Sequence, residues 1–232
     1  MPKINDPLPA LTLENENLSM LREDVEWWKI YEESFPISER ESKGVIFERI
    51  QKNVGMAIHA RLGERTVGMA SLHLLYDPAT VYLISIAISP EERKHHIGSF
   101  LFDYAWESGA AKLRQTQKEP IGMVWEVERP ELANTQEEKQ QRERRIQFYE
   151  SHGGQILPCN YFLPPLQGTD AIPMYLMFRP AKKNQLMDKK NIMALVHSMY
   201  LQNYNAMNGI SLSVLMPLLE KTRHEKTHDG RD

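Results

Sequence analysis

The stretch Val81–Tyr104, VYLISIAISPEERKHHIGSFLFDY, decides how the rest of the chain is read. Val81 to Ile88 is an almost unbroken apolar run rich in β-branched residues, the pattern of a strand covered on both faces. Pro90-Glu91-Glu92 ends it, and Arg93-Lys94-His95-His96 forms a basic turn. From Ile97, apolar residues return at helical spacing as Ile97, Phe100, Leu101, Tyr104 and Ala105. A strand that feeds a basic turn at a helix N-terminus makes an anion site, because unpaired backbone N–H groups converge there and the helix dipole adds positive potential. Gly98 lets the backbone approach a phosphate that a β-carbon would hold off.

On the C-terminal side, Ile121 to Val127 predicts a further strand and Glu131 to Ser151 a charged helix, closed by Gly153-Gly154. Gln155–Cys159 and Pro173–Phe178 read as the last strands, joined by a loop with Pro164-Pro165. On the N-terminal side, Met56, Ile58, Ala60 and Leu62 alternate, Gly63-Glu64-Arg65 is turn chemistry, and Thr66 to Leu75 resumes as strand, so this is a hairpin. Ser19 to Phe35 predicts one helix, stopped by Pro36. Ser38 with Glu41 three residues on predicts a capping box for a second. Met1 to Thr12, with three prolines, reads as an arm or edge strand. The order gives a mixed α/β chain built around one sheet.

Lys182 onward changes character. Asp188–Asn205 and Ser211–Leu219 read as helices before a polar tail, which divides the chain into a domain over 1–181 and a helical extension over 182–232. The apolar face of Ile192, Leu195, Val196 and Met199 predicts packing on the domain or on a second copy of the chain, which would make a homodimer.

Of 232 residues, 41% are hydrophobic and 25% charged, which excludes a disordered chain and supplies a core without disulfides or structural metal. The net charge of −3 gives no bulk attraction to nucleic acid or an anionic membrane, so neither is expected as a partner. Cys159 is the only cysteine, and His95 and His96, being adjacent, point in different directions, so no metal site is expected. Met1 to Glu16 lacks the features of a secretory signal, and no apolar run reaches the ~20 residues of a membrane span, so the cytoplasm is the expected compartment.

Ile86-Ala87-Ile88-Ser89-Pro90-Glu91-Glu92-Arg93, followed by Ile97-Gly98-Ser99, resembles the acyl-CoA-binding motif of the GNAT acetyltransferases. Arg93 and Gly98 match their places, and His96 stands where the first glycine is usual. Phe148-Tyr149, a short spacer and Gly153-Gly154 are similar to a second signature of that family, and Ser34-Phe35-Pro36 with Glu39-Arg40 resembles one of its branches. The resemblance covers roughly Leu18 to Arg179. It implies a GNAT-like mixed sheet flanked by helices and acetyl-CoA as co-substrate. It also implies backbone contacts from Ile86, Ala87 and Ile88 to the pantetheine arm, and amides of Lys94, His95, His96, Ile97, Gly98 and Ser99 around the pyrophosphate. Arg142 falls near a position where relatives touch CoA and is a candidate phosphate contact.

Transfer to an amine by direct attack needs a base for the ammonium and an acid for the leaving thiolate, and no protein nucleophile. Glu126 and Glu128, two apart on one strand, share a face and are the candidate bases. Many relatives carry a glutamate on the preceding strand, where this chain has Ile84, Ser85 and Ile86. The resemblance makes Tyr149 the candidate acid. An acceptor pocket is expected from the first helices, the loop after Glu128 and the Pro164-Pro165 loop, with Trp27, Trp28, Tyr161 and Phe162 as candidates to line it or to pack in the core. The expected activity is N-acetylation of a small-molecule amine. The alternatives are acetylation of protein lysines and a CoA-binding sensor without catalysis.

Overall fold

The computed structural model describes residues 10–93, 95–166, 170–183 and 187–223. One eight-stranded sheet organises it. Its strands are β1 (Leu11–Glu16), β2 (Gly55–Leu62), β3 (Arg65–Tyr76), β4 (Ala79–Ile88), β5 (Gly122–Glu128), β6 (Gln155–Ile156), β7 (Phe162–Leu163) and β8 (Ile172–Pro180). The order is β1-β2-β3-β4-β5-β8-β6, with β7 on β8. Every neighbouring pair is antiparallel except β4 with β5.

The helices are α1 (Leu18–Glu23), α2 (Val25–Ser34), α3 (Lys43–Gln51), α4 (Ile97–Gln115), α5 (Gln136–Ser151), α6 (Lys189–Ser198) and α7 (Leu212–Arg223), with a π-helical turn over Met199–Asn205. The predicted helix Ser19–Phe35 is two, because the Asp24 carboxylate accepts the Trp27 amide at 2.9 Å and starts α2 afresh. The capping box expected from Ser38 and Glu41 does not form. Ser42 caps α3 instead, and Glu41 turns into the interior to meet Arg49. Gly153 ends α5 at φ +81, in the left-handed region that glycine adopts without steric penalty.

Alternation along the strands sends apolar side chains to both faces. Val81, Leu83, Trp125 and Val127 meet α4 and α5 on one face. The opposite face is shared: Ala57 and Met69 lie under α2 and α3, while Tyr82, Val124, Leu176 and Phe178 lie under the helices after residue 188. Ile192, Leu195, Val196 and Met199, the face expected to pack on something, bury against this chain's own sheet. The expected extension thus shares a core with the strands that build the cleft. No helix among the described residues is long and apolar enough to cross a membrane.

Two irregularities open the sheet. The parallel pairing of β4 with β5 covers only Val81–Met123 and Tyr82–Val124, after which the strands diverge. Next to the divergence the β3–β4 register slips between Ser71–Ser85 and Leu72–Leu83, leaving Ile84 as an extra residue on β4. The fork exposes backbone N–H and C=O groups of both strands to whatever enters it.

Candidate active site

A cleft of about 630 Å³ fills the fork. Leu83 to Ile88 form one wall and Trp125 to Glu128 the other, with Arg93 and Gly98 at one end and Glu39, Glu41 and Tyr204 also lining it. The Ser85 hydroxyl lies in this lining, buried and without a hydrogen-bond partner among the described residues, as a donor reserved for a ligand would be.

At the α4 end, the amides of Ser99 and Phe100 both turn back to the His96 carbonyl, at 3.0 and 3.3 Å. The Ile97 and Gly98 amides, in the first turn, have no intrahelical acceptor. A β-carbon on Gly98 would meet only Ile88 at 3.7 Å and Phe148 at 3.9 Å, ordinary contacts. Nothing in the protein therefore demands glycine there, while a closely approaching phosphate would. His96, in place of the usual glycine, takes φ +59 and ψ 6, a left-handed conformation that costs about 1–2 kcal/mol for a residue with a β-carbon. His95 is exposed beside Glu92 at 3.4 Å. Ile97 is a core residue and Ser99 is half-buried outside the lining. Lys94 lies outside the described residues.

The other wall carries the acids. Glu126 sits two residues past the last β4–β5 pair and accepts three phenol hydroxyls: Tyr82 at 2.7 Å, Tyr204 at 2.7 Å and Tyr161 in a short contact. The Tyr82 and Tyr204 oxygens also lie 2.8 Å apart, but with both protons given to Glu126 neither is left to donate to the other. Burial raises the Glu126 pKa, and the three phenol hydrogen bonds pull against that rise without cancelling it. Burial, then the Glu126 charge, pushes all three phenols well above their ordinary range, so they donate and do not ionise. Glu128 is in a different state. Arg142 at 3.2 Å and Arg145 in a short contact neutralise it. Arg142 also donates to the Arg129 carbonyl at 2.9 Å, so it is tied to the end of β5, while Gln141, Arg144, Arg145, Phe148 and Tyr149 are the α5 residues that line the cleft.

Sequence reasoning missed Glu39. It closes a 3₁₀ turn after α2, half-buried in the cleft, and burial followed by the Glu128 charge pushes its pKa up to about 7. The folded pKa exceeds the ordinary value of 4.5, so stability from the bound proton is greatest below about 4.5 and is lost as pH rises toward about 7. Glu39→Gln is expected to melt like the parent at about pH 4.5 and to be more stable by roughly 1–3 kcal/mol at about pH 8. Parallel thermal melts at the two pH values check this.

Tyr149 is buried against Trp125 and Phe102, with ring centroids 4.9 and 5.4 Å away. Its ring lines the cleft, and its hydroxyl has no hydrogen-bond partner among the described residues. Trp27 and Trp28 prove to be core residues, donating to the Ile58 and Leu21 carbonyls. Tyr161 reaches Glu126, whereas Phe162 packs under the C-terminal helices.

Comparison with known proteins agrees with this geometry. Residues 24–153 match the family model of the GNAT acetyltransferases. A Bacteroides thetaiotaomicron protein assigned to the GNAT family superposes with a TM-score of 0.64 at 21% identity, over 86% of this chain and 99% of its own. An aminoglycoside 6'-N-acetyltransferase complexed with coenzyme A gives 0.54 at 17% identity, over 75% and 99%. Arabidopsis thaliana NAA60 in complex with acetyl-CoA gives 0.53 at 15%, over 74% and 99%. At these identities the likeness is one of fold. No curated protein matches by sequence.

Proposed function

The chain belongs to the GNAT acetyltransferase family, and from that premise we propose that it moves an acetyl group from coenzyme A onto a primary amine of a small molecule by direct attack. The observation that carries this reading is the fork between β4 and β5, lined by the basic Arg93 and the α4 start at Gly98 and by a carboxylate caged in phenols. Acetyl-CoA brings an activated thioester carbonyl. The chain's residues hold its phosphates at the Ile97 and Gly98 amides with Arg93, offer the Ser85 hydroxyl and free strand amides along the arm, and manage the protons.

Glu126 takes a proton from the ammonium, because burial makes it a stronger base than an exposed carboxylate while the three phenols fix its orientation. Tyr149 donates a hydrogen bond toward the departing sulfur. Glu128, locked between two guanidinium groups, holds the end of β5 and is the weaker candidate for base. Leu163, Leu166, Met174 and Tyr204 line the same cleft, and this side-chain lining supports a small molecule over a folded protein surface.

Binding is tested first. CoA at ~100 times its dissociation constant should stabilise the fold by about 2.7 kcal/mol. Gly98→Glu should fold as the parent does, since its β-carbon has room, and lose that gain by steric and charge conflict with the phosphates. A melting temperature unmoved by saturating CoA in the parent would remove the reading. Thiol release with free amines then separates an enzyme from a sensor, and peptides in the same assay separate small-molecule from protein acceptors.

A further inference from the structure

We propose that the acceptor is a small molecule with two cationic nitrogens, one of which is acetylated while the other remains an ammonium on Glu39; this rests on the acetyl-transfer reading above. Arg93, Arg144, Arg145, Glu39, Glu41 and Glu126 all line the cleft. Glu39 feels the Glu128 and Glu126 charges as repulsion and Arg145 and Arg142 as attraction, although neither guanidinium is within ion-pair distance of it. Glu41 is neutralised by the buried Arg49, and Glu128 by Arg142 and Arg145. Glu39 and Glu126 are what remains. Among the described residues neither has a cation within ion-pair distance, and the three groups on Glu126 are neutral phenols.

Proton accounting decides how many cations the acceptor needs. An amine must lose a proton before it attacks, and Glu126 gains it, so the R–NH₃⁺ and carboxylate pair becomes R–NH₂ and a carboxylic acid. On attack the nitrogen becomes cationic again in the tetrahedral intermediate, and it returns to neutral when its second proton goes to the departing thiolate, so that charge is used at the reacting carbonyl and is not available to Glu39. A monoamine leaves Glu39, whenever it is ionised, with no cation in contact through the chemical step and only the more distant Arg145 and Arg142 charges to offset it. A second ammonium compensates it throughout. Phe35, Leu163, Leu166 and Met174 line the same cleft and suit the hydrocarbon between the two nitrogens. With its pKa near 7, Glu39 exchanges a proton for the ammonium, so the preference should widen as pH rises through neutrality.

The test pairs α,ω-diamines of three to six carbons with amino alcohols of equal length, each with acetyl-CoA, reading thiol release. At the best length kcat/KM for the diamine should exceed that of its amino alcohol by at least about tenfold, as expected for one charge-assisted contact. Glu39→Gln should bring the two to within about threefold of each other by lowering the diamine value. Calorimetry of the same compounds with CoA bound should show the same order in affinity. Equal kcat/KM and equal affinity for the paired compounds overturn the two-cation proposal and leave acetyl transfer standing. Thiol release from neither series, with CoA still bound, overturns the small-molecule transfer reading and this inference together.

Discussion

Tyr149→Phe should lower turnover by about 10²–10³, or about 2.7–4 kcal/mol in barrier, with CoA affinity little changed. The substitution keeps the ring that packs on Trp125 and Phe102 and removes only the hydroxyl, which has no partner among the described residues. Burial pushes the phenol up to about 12, with Arg145 pulling the other way. At neutral pH it therefore stays protonated. A thiol leaves with a pKa near 8.5, so full transfer from this phenol is uphill and its contribution is a hydrogen bond to developing negative charge. That predicts a loss in the chemical step, read in single turnovers with an active acceptor. A tyrosine serving only the core would instead lose a little stability and keep its turnover. Equal single-turnover rates for the two proteins would take the role away from Tyr149.

Arg49→Met should destabilise the fold by about 3–5 kcal/mol, because it strands a buried charge. Arg49 and Glu41 have side chains 1% and 2% exposed and pair directly. Further partners come from the far end of the chain, Asn203 on Arg49 at 2.8 Å and Asn208 on Glu41 at 2.8 Å, while Arg49 Nε and Glu41 Oε2 stay buried without a partner among the described residues. Methionine fills the aliphatic stem, so the loss measures charge and hydrogen bonding more than volume. Arg49→Met with Glu41→Gln removes both charges and should regain at least about half of the loss. Urea unfolding with an unchanged m-value checks both. A single variant within about 1 kcal/mol of the parent would show the pair to be incidental.

The two predictions differ in how visible their residues are in the sequence. Tyr149 lies in a local pattern, an aromatic pair before two glycines, and its strand–turn–helix partner at Val81–Tyr104 is equally local. Periodicity and turn chemistry act over a few residues, and there they name the right elements: the hairpin, β4, α4 and β5 all form close to their expected bounds. The capping box at Ser38 fails because a buried arginine competes for Glu41. The cage around Glu126 has no local signature at all. Its tyrosines come from positions 82, 161 and 204, joined only by sheet topology and a π-helical turn. Glu39 is hidden for a related reason, since its unusual acidity comes from burial and from Glu128 on another element.

The placement of Tyr204 has a consequence for synthesis. On a ribosome, Glu126 is made 78 residues before the phenol that completes its cage. At about 5–20 residues per second, that is roughly 4–16 s during which β5 exists without Tyr204. Arg49 waits longer, since Asn203 follows it by 154 positions. A nascent chain can pair β2, β3 and β4 and seat α4, yet its cleft is walled by solvent where the C-terminal helices will lie. The last wall of the cleft thus arrives late and all at once, so a stalled or clipped product would hold the basic turn and its helix start beside a cleft that was never closed.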